Sequence, residues 1–389
     1  MKKGAEADYT VVILGGGPAG CAAAISLADR GVAGVLLIET GNYEALRVGE
    51  SIPPDTRLVL DRLGLWRDFL EEGHDVCYGS YSAWGRDKPG YNDFLFNPYG
   101  TGWHLDRRRF DAFLVQKAAD GGAEVRTGTR FRSVESKRED GLAIRVAGDD
   151  GVARTIHADY VVDATGYRAA FAKAMGAESE ILDSLICVYG FFVLDSESTL
   201  SRLTMLEAVR DGWWYAARLP GEKATAAFAV DPETVKQSGL RTDEGWLWSL
   251  SDTRHIAPAL KHCRFLPGSL LTKPALSLLR RPVSGKRWLA VGDAASIYDP
   301  ISAQGVYKAL FDGAMAGAAI AHRIDGSTTS FDDYAAGVRD HFERYLTNRH
   351  YLYGVEQRWA NSLFWKRRRE AAEAAMNLFS TQTASVVEP

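Results

Sequence analysis

The spacing of apolar positions at the start of the chain predicts a strand, a helix and a second strand. Residues 9–14 and 35–39 are short apolar runs with the composition of buried strands. The segment between them, residues 20–30, consists largely of small residues and is typical of a closely packed helix. Because a strand, a helix and a strand in this order are joined most simply as a βαβ unit, the pattern indicates a parallel sheet.

The rest of the chain alternates between helical periodicity and short strand-like runs. Residues 180–275 alternate apolar and polar positions, which predicts an antiparallel sheet. Its clearest strands are residues 191–194, 213–218 and 224–230. The other predicted elements are helices at 51–70 (stopped near Gly64), 107–119 and 305–324, strands and a loop over 78–103, strands at 124–126, 134–147, 153–162 and 288–291, and helical structure from 331 onward.

Composition excludes several classes of protein. The 46 basic and 50 acidic residues leave a net charge of −4, which does not suggest a nucleic-acid binder. No apolar run approaches the roughly 20 residues that span a bilayer. The four cysteines are scattered, without a CxxC pair or metal-ligand spacing. We therefore expect a cytoplasmic protein without a metal site, and no flavin enzyme of the disulfide-reductase kind.

A glycine-rich turn is the strongest chemical signal. The sequence Gly15-Gly-Gly17-Pro-Ala-Gly20 lies between the first strand and helix, and Glu39 ends the second strand. Gly15 allows the tight turn, Gly17 lets the backbone approach a pyrophosphate, and Gly20 lets the helix pack on the strand. The helix N-terminus favours the diphosphate, and Glu39 can accept hydrogen bonds from the ribose hydroxyls. The sequence therefore predicts a dinucleotide site.

A second motif favours FAD over NAD. The apolar run that begins at Trp288 ends in Gly292-Asp293, which resembles the second flavin-contact motif of FAD proteins, where the Asp binds the ribityl chain. The segment from Asp299 to Gly305 follows and opens a helix whose N-terminal amides could face the flavin ring. Only one dinucleotide motif is present, so we expect the reductant to be transiently bound NAD(P)H or a partner that supplies reduced flavin.

Two weaker matches agree with an FAD site. Arg107 begins an RxxFxxxL spacing in which the arginine contacts cofactor, and Asp163-Ala-Thr-Gly166 ends a strand as an ATG-like turn does. The predicted cofactor-binding residues are Gly15, Gly17, Pro18, Ala19, Gly20, Glu39, Thr40, Arg47, Ser51, Arg107, Gly292, Asp293, Pro300, Gln304 and Gly305.

These observations define the expected fold class and domain organisation. The fold is α/β, with a Rossmann-like FAD-binding lobe on a parallel sheet, an antiparallel-sheet substrate lobe and a C-terminal helical segment. The predicted segments are 1–78, 104–178 and 277–330 for the FAD-binding lobe, 79–103 and 179–276 for the substrate lobe, and 331–389 for the C-terminal helical segment and tail.

Together the motifs resemble the flavoprotein fold of the para-hydroxybenzoate-hydroxylase type. Within it, Val48-Gly-Glu-Ser-Ile-Pro-Pro54 and the segment 299–305 are closest to the tryptophan-halogenase-like branch. Three features depart from true halogenases. The halogenase lysine has no counterpart, since no lysine occurs from Gly4 to Asp87; the WxWxIP fingerprint is replaced by the segment 213–220; and the halide-binding Ser/Thr-Gly is replaced by Ala303-Gln304-Gly305.

The remaining motifs resemble a non-halogenating subgroup, the flavoproteins of tryptophylquinone cofactor biogenesis. The matching segments are 77–85, 99–107, 211–215 and 299–308. The resemblance implies an FAD-dependent monooxygenase with O₂ as co-substrate, acting on a tryptophan side chain of a partner protein or peptide. Reduced FAD and O₂ would supply electrophilic oxygen, and the protein would supply orientation, dryness and a proton relay.

Several residues are candidates for the reaction itself. His104 is the best acid/base candidate, because imidazole titrates near neutrality. Glu50 lies in the loop expected near the flavin ring. Trp84, Trp214 and Tyr215 could stack on an indole or simply fill the core. Each could also be structural. The basic and aromatic segment 344–369 could pack on its own lobe or dock a partner polypeptide.

Three other functions stay open at this point. A flavin-dependent halogenase of a free aromatic would need an altered lysine site. A flavin-dependent reductase or dehydrogenase would turn over without O₂. A non-enzymatic flavoprotein scaffold would bind a partner without turning over the flavin.

Overall fold

The structure is a computed structural model that describes residues 8–137 and 141–371. The strands are β1 (Tyr9–Leu14), β2 (Val35–Ile38), β3 (Ser51–Ile52), β4 (Asp75–Cys77), β5 (Gly79–Ala83), β6 (Gly90–Asp93), β7 (Gly102–His104), β8 (Glu124–Arg126), β9 (Arg130–Lys137), β10 (Leu142–Ala147), β11 (Ala153–Asp163), β12 (Glu178–Asp183), β13 (Ile186–Leu194), β14 (Thr204–Val209), β15 (Gly212–Leu219), β16 (Lys223–Val230), β17 (Cys263–Phe265), β18 (Leu271–Pro274), β19 (Ser277–Arg281), β20 (Ser284–Gly285), β21 (Trp288–Ala290) and β22 (Ser296–Ile297). The α-helices are α1 (Pro18–Asp29), α2 (Thr56–Arg62), α3 (Trp66–Glu71), α4 (Arg107–Asp120), α5 (Ala170–Ala174), α6 (Pro232–Gln237), α7 (Asp243–Ser251), α8 (Ile256–Ala259), α9 (Gly305–Ile324) and α10 (Ser330–Val355).

These elements form two compact units. Within the described residues, the first unit comprises the chain up to His74 together with Leu105–Leu182 and Ser277–Phe342. The second comprises Asp75–His104, Asp183–Leu276 and the chain from Glu343 on. The last part of the predicted segment 331–389 lies outside the described residues. The assignment of cofactor to the first unit and substrate to the second stays a prediction.

The first unit is built on the parallel sheet that the sequence predicts. Its strands follow the order β20-β21-β11-β1-β2-β8, and the pairs from β21 to β8 are parallel. Helix α1 packs against α9 at backbone distance, since a β-carbon on Gly313 would come within 2.1 Å of the Ala19 carbonyl oxygen. Only small residues permit this approach, which explains the composition of both helices. The predicted fold class is confirmed.

The second unit contains the antiparallel sheet. Its strands follow the order β17-β13-β16-β15-β14-β5-β6, with β18 also paired to β13, and the β14–β5 pair is parallel. On one face the Trp214 ring stacks on Phe228, with centroids 4.5 Å apart, and meets Trp246 edge-on. This cluster is the core of the unit.

Three predictions of secondary structure are wrong. Residues 51–70 do not form one helix, since they contain β3 and then α2 and α3 on either side of Gly64. The predicted single strand over 134–147 is two antiparallel strands, β9 and β10, because polar residues interrupt the apolar alternation; residues 138–140 lie outside the described part. Residues 180–275 are not only sheet, since they also contain α6 to α8. Pro232 begins α6, and the Thr242 side chain caps α7 by accepting from the Gly245 amide. In the described part of the chain, every helix is too short or too polar to cross a bilayer.

Candidate active site

Steric contacts require glycine at two positions of the glycine-rich turn. Gly15 has φ +116°, and a β-carbon there would come within 2.2 Å of the Ala164 carbonyl oxygen. A β-carbon on Gly20 would come within 1.9 Å of the Gly15 carbonyl oxygen. Gly17 differs, because a β-carbon there would meet nothing within 4 Å. The open position is therefore the one at which a pyrophosphate is expected to approach the backbone. It is the N-cap of α1, and no side chain caps that helix end.

Glu39 is held in place by the glycine-rich turn. Its carboxylate is buried and accepts the Gly16 amide at 2.8 Å through Oε2 and the Gly41 amide at 2.9 Å through Oε1. Thr40 donates its hydroxyl to the same carboxylate at 3.2 Å and lines a cavity of about 240 Å³. Each carboxylate oxygen can accept more than one hydrogen bond, so Glu39 keeps capacity for a ribose hydroxyl.

Asp111 is a functional candidate that sequence reasoning missed. The Asp111 carboxylate is fully buried and forms two ion pairs. One is with Arg47 at 3.0 Å, and the other is with Arg107, on the same helix α4, at 3.1 Å. Arg107 also donates to the Val48 carbonyl at 2.5 Å. Asp111 thus fixes two arginines that the sequence predicts as cofactor contacts. The spacing of four residues from Arg107 on a helix was the available signal.

The end of β11 lies against the glycine-rich turn. Asp163 is buried and accepts hydrogen bonds from the Thr165 hydroxyl at 2.6 Å and the Ala172 amide at 2.7 Å. Burial raises the pKa of the Asp163 carboxyl, and the hydrogen bonds from Thr165 and Ala172 oppose that rise. These bonds shape the turn whose Ala164 carbonyl contacts Gly15. The ATG-like segment is therefore a structural wall of the same site.

The second predicted motif converges on the first. Gly292 has φ +58°, and a β-carbon there would lie 2.9 Å from the β-carbon of Ala19 in α1. The neighbouring Asp293 side chain is 46% exposed, so its carboxylate is accessible to a ligand. Two motifs from opposite ends of the sequence therefore border one region of the first unit.

The turn before α9 carries backbone strain. Ala303 adopts φ +52°, a left-handed conformation that costs a residue with a β-carbon roughly 1–2 kcal/mol. The Asp299 side chain caps the short helical turn that begins at Pro300, by accepting from the Ile301 amide at 3.0 Å. Gln304 is the N-cap of α9 but makes no side-chain capping bond, and Gly305 begins the helix exposed to solvent. The α9 N-terminal amides are thus available to an acceptor.

These residues fit a dinucleotide. The uncapped N-terminus of α1, the open backbone at Gly17, the bonded carboxylate of Glu39 and the half-exposed Asp293 all lie in the first unit. The FAD binding domain family model matches residues 8–349 of the chain.

The chain belongs to the FAD binding domain family.

The chain also resembles individual proteins over most of its length. It is 28% identical over 363 residues to LodB of Marinomonas mediterranea, which is named as an FAD-dependent oxidoreductase; the match covers 93% of this chain and 97% of LodB. The crystal structure of the flavin-dependent halogenase CmlS superposes with a TM-score of 0.83 at 24% identity, covering 95% of this chain and 70% of CmlS. QhpG, a peptidyl tryptophan dihydroxylase essential for tryptophylquinone cofactor biogenesis, gives a TM-score of 0.69 at 23% identity, over 93% and 79% of the two chains.

The predicted resemblance to halogenase-like flavoproteins is therefore confirmed. The protein is an FAD-dependent oxidoreductase. All the predicted cofactor residues lie in the first unit, as does Glu50, whereas His104, Trp84, Trp214 and Tyr215 lie in the second. The individual roles of these residues stay predictions.

His104 is fully buried in the second unit, at the end of β7. Its Nε2 lies 3.1 Å from the Thr204 hydroxyl oxygen. Burial lowers the pKa of His104 to about 4, although a hydrogen bond to the Arg218 backbone opposes the shift. At neutral pH the ring is therefore neutral, so His104 could accept a proton but would not donate one as an imidazolium. The expectation that His104 titrates near neutrality is wrong, because burial lowers its pKa.

The predicted aromatic residues occupy different environments. Trp214 is 1% exposed in the core cluster, whereas Tyr215 is partly buried on the same strand. Trp84 donates its indole N–H to the Leu352 carbonyl at 2.7 Å and packs edge-on against Trp365, with centroids 5.2 Å apart. The packing of Trp214 favours a core role, and no geometry here assigns Trp84 to a substrate.

The basic and aromatic C-terminal segment packs within the second unit. Trp365 is fully buried and donates to the Val209 carbonyl at 2.9 Å. Arg368 is also buried and pairs with Asp231 at 2.7 Å and with Asp183 at 2.8 Å. These contacts favour the first of the two predicted roles, in which the segment stabilises its own unit.

Glu50 and Ser51 lie at the beginning of β3 in the first unit. Glu50 is buried, and its Oε2 accepts the Gly49 amide at 3.0 Å. Its carbonyl accepts the Leu105 amide at 2.8 Å, so the backbone of this loop is fixed. Gly49 has φ +92°, which favours glycine at this turn. The loop is thus ordered by its own backbone and can present Glu50 reproducibly.

Proposed function

We propose that this protein is an FAD-dependent monooxygenase that hydroxylates a tryptophan side chain of a partner protein during tryptophylquinone formation. The observation that carries the proposal is a halogenase-like fold without a halogenase lysine, since residues 4–87 contain no lysine. The likeness to LodB, which covers 93% of this chain, supports an FAD-dependent oxidoreductase, and the fold likeness to the peptidyl tryptophan dihydroxylase QhpG supports tryptophan as the substrate.

The environments of Lys88 and Lys308 also disfavour a halogenase. Lys88 is exposed on the second unit. Lys308 is buried in the first unit, where its ammonium donates to the Ser296 carbonyl at 2.5 Å and lies 3.7 Å from two carboxylates. An ammonium held in this way is neither mobile nor free to carry an oxidised halogen. The turn at Ala303-Gln304-Gly305 likewise lacks the hydroxyl of the halogenase Ser/Thr-Gly.

The proposed reaction balances with O₂ and two electrons. One oxygen atom replaces a ring hydrogen of the tryptophan as a hydroxyl group, and the other leaves as water. NAD(P)H, or a partner that supplies reduced flavin, would provide the two electrons. FAD, which the glycine-rich turn, Glu39 and Asp293 would hold, would supply the redox chemistry between this reductant and O₂. In this scheme Glu50 orients groups at the flavin. His104 relays the proton released from the ring carbon and holds it only transiently, because burial lowers its pKa to about 4.

The deciding experiment measures the intact mass of a tryptophan-bearing quinoprotein precursor. The precursor is incubated with the flavoprotein, FAD, NADH and a flavin reductase in heavy-isotope oxygen gas. The proposal predicts that the precursor gains the mass of one or two heavy oxygen atoms on its tryptophan. Omission of the flavoprotein, or replacement of that tryptophan by phenylalanine, removes the gain.

Each competing function predicts a different outcome. A precursor that stays unmodified while NADH is consumed contradicts the proposal. A mass gain that requires bromide or chloride would show a halogenase, which is the second candidate because relatives such as CmlS carry that activity in their names. Substrate turnover without O₂ would show a reductase, and tight association without flavin turnover would show a scaffold.

A further inference from the structure

Lys308 is a buried cation in the first turns of α9. Its side chain is 4% exposed, and its ammonium donates to the Ser296 carbonyl at 2.5 Å. It also lies 5.0 Å from the centre of the Tyr298 ring. A cation near a helix N-terminus is disfavoured by the helix dipole, and a buried ammonium is costly unless it is paired. Lys308 therefore depends on the anions around it.

Two carboxylates compensate this charge. Asp293 Oδ1 and Asp312 Oδ2 each lie 3.7 Å from the Lys308 ammonium. Asp312 is 3% exposed, whereas Asp293 is 46% exposed. Lys308 thus lies between a buried carboxylate and the accessible carboxylate of the second flavin motif.

Asp312 ties this cluster to the backbone of the same motif. Its Oδ2 accepts the Gly292 amide at 3.2 Å, and Gly292 is the residue that lies against Ala19. Burial raises the pKa of Asp312 to about 6, and the attraction of Lys308 opposes that rise. Without the ammonium, a buried carboxylate would face a second carboxylate at the turn.

We infer that Lys308 is a positioning residue for FAD, which holds Asp293 and the Gly292 turn in place through its contacts with Ser296, Asp293 and Asp312. The inference concerns the cofactor and does not depend on which aromatic is the substrate. It rests on the FAD site alone, so failure of the tryptophan assay leaves it standing.

The test is the affinity of the full-length apoprotein for FAD, measured by quenching of flavin fluorescence. Lys308→Met should raise the FAD Kd by about tenfold or more, because it leaves two carboxylates uncompensated. The melting temperature of the apoprotein is measured in parallel, since a merely structural role would lower it without changing Kd. Lys286→Met, an exposed lysine in the same unit, is the matched control and should leave both values unchanged.

A double variant makes the inference independent of how well Lys308→Met folds. Asp312→Asn removes one of the two charges that Lys308 compensates and leaves Asp293. Adding Lys308→Met to it should therefore still raise the FAD Kd, but by only about threefold. An FAD Kd that is unchanged in Lys308→Met overturns the inference. So does a lysine effect that is equally large in the Asp312→Asn background, because the two residues would then act independently.

Discussion

Gly292 at the end of the β21 segment packs directly on Ala19 in the first turn of α1. A β-carbon on Gly292 would lie 2.9 Å from the Ala19 β-carbon, which is closer than two carbons normally approach. The glycine-rich turn and the Gly-Asp turn are therefore joined by backbone packing. Any ligand that binds one turn is positioned with respect to the other.

This packing makes Gly292→Ala a direct test of the cofactor site. Gly292 has φ +58°, so alanine there is strained as well as crowded against Ala19. We expect a loss of about 1–3 kcal/mol in the free energy of unfolding and weaker FAD binding. Thermal unfolding with and without FAD, and an FAD titration of the apoprotein, measure the two effects.

Gly337→Ala in α10 is the matched control for that variant. A β-carbon at Gly337 would meet nothing within 4 Å, and alanine favours the helix by up to about 1 kcal/mol. This control should melt at the same or a higher temperature and bind FAD normally. Equal behaviour of the two variants would contradict the assignment of Gly292 to the site.

Asp111 is expected to matter for FAD through the two arginines that it holds. Asp111→Asn removes the charge that pairs with Arg47 at 3.0 Å and Arg107 at 3.1 Å, and charge-assisted hydrogen bonds of this kind contribute about 1.5–3 kcal/mol each. We expect the FAD Kd to rise by about tenfold or more. An FAD titration of the apoprotein measures this change.

Asp61→Asn is the control for the Asp111 variant. Asp61 pairs with Arg57 at 3.4 Å on the surface of α2, and both side chains are more than 40% exposed. Exposed pairs contribute at most about 1 kcal/mol, so stability and FAD Kd should change little. If both variants bind FAD as the wild type does, the role assigned to Asp111 is wrong.

Local features of the site could be predicted from the sequence, but pairings between distant segments could not. Helix α9 has the predicted bounds of 305–324, because apolar periodicity is local. The spacing from Arg107 marks Asp111 only as one member of a helical ion pair, and its second pairing, with Arg47, spans 64 residues and leaves no local pattern. Trp214 looked like a pocket residue beside Tyr215, yet successive residues of a strand face opposite sides of the sheet. Helices α6 to α8 determine which face of the antiparallel sheet is buried. These helices are too short to produce a strong apolar periodicity in the sequence.

Ala303 stores strain at the turn before α9, and glycine should relieve it. Ala303→Gly is expected to raise the free energy of unfolding by up to about 1 kcal/mol, because φ +52° is freely available to glycine. Ala169 has φ +43° in a turn outside the predicted cofactor residues, but it is fully buried, so the relief of strain in Ala169→Gly is offset by the loss of about 0.8 kcal/mol of methyl burial and stability should change little. Melting temperatures compare the two. If only Ala303→Gly also changes the FAD Kd, the strained turn takes part in binding; destabilisation by Ala303→Gly would contradict the strain argument.

His104 should make the protein less stable in acid. Burial holds the pKa of His104 at about 4 in the folded protein, whereas an unfolded histidine titrates near 6.5. Above pH 6.5 both states are neutral and the contribution is fully present. As the pH falls towards 4, the unfolded chain gains a proton that the folded protein refuses, so the free energy of unfolding decreases by about 2 kcal/mol between pH 7 and 5.

The measurement is the drop in melting temperature between pH 7 and pH 5 for the wild type and for His104→Gln. The variant lowers stability at both values but should show the smaller drop, because its side chain does not titrate. Residual acid sensitivity is expected from His74, whose pKa burial also lowers to about 4. His157→Gln, at a partly exposed position, should keep the wild-type drop. An unchanged drop in His104→Gln would mean that His104 is hydrated and charged in the folded protein, which would return it to consideration as a proton donor at neutral pH.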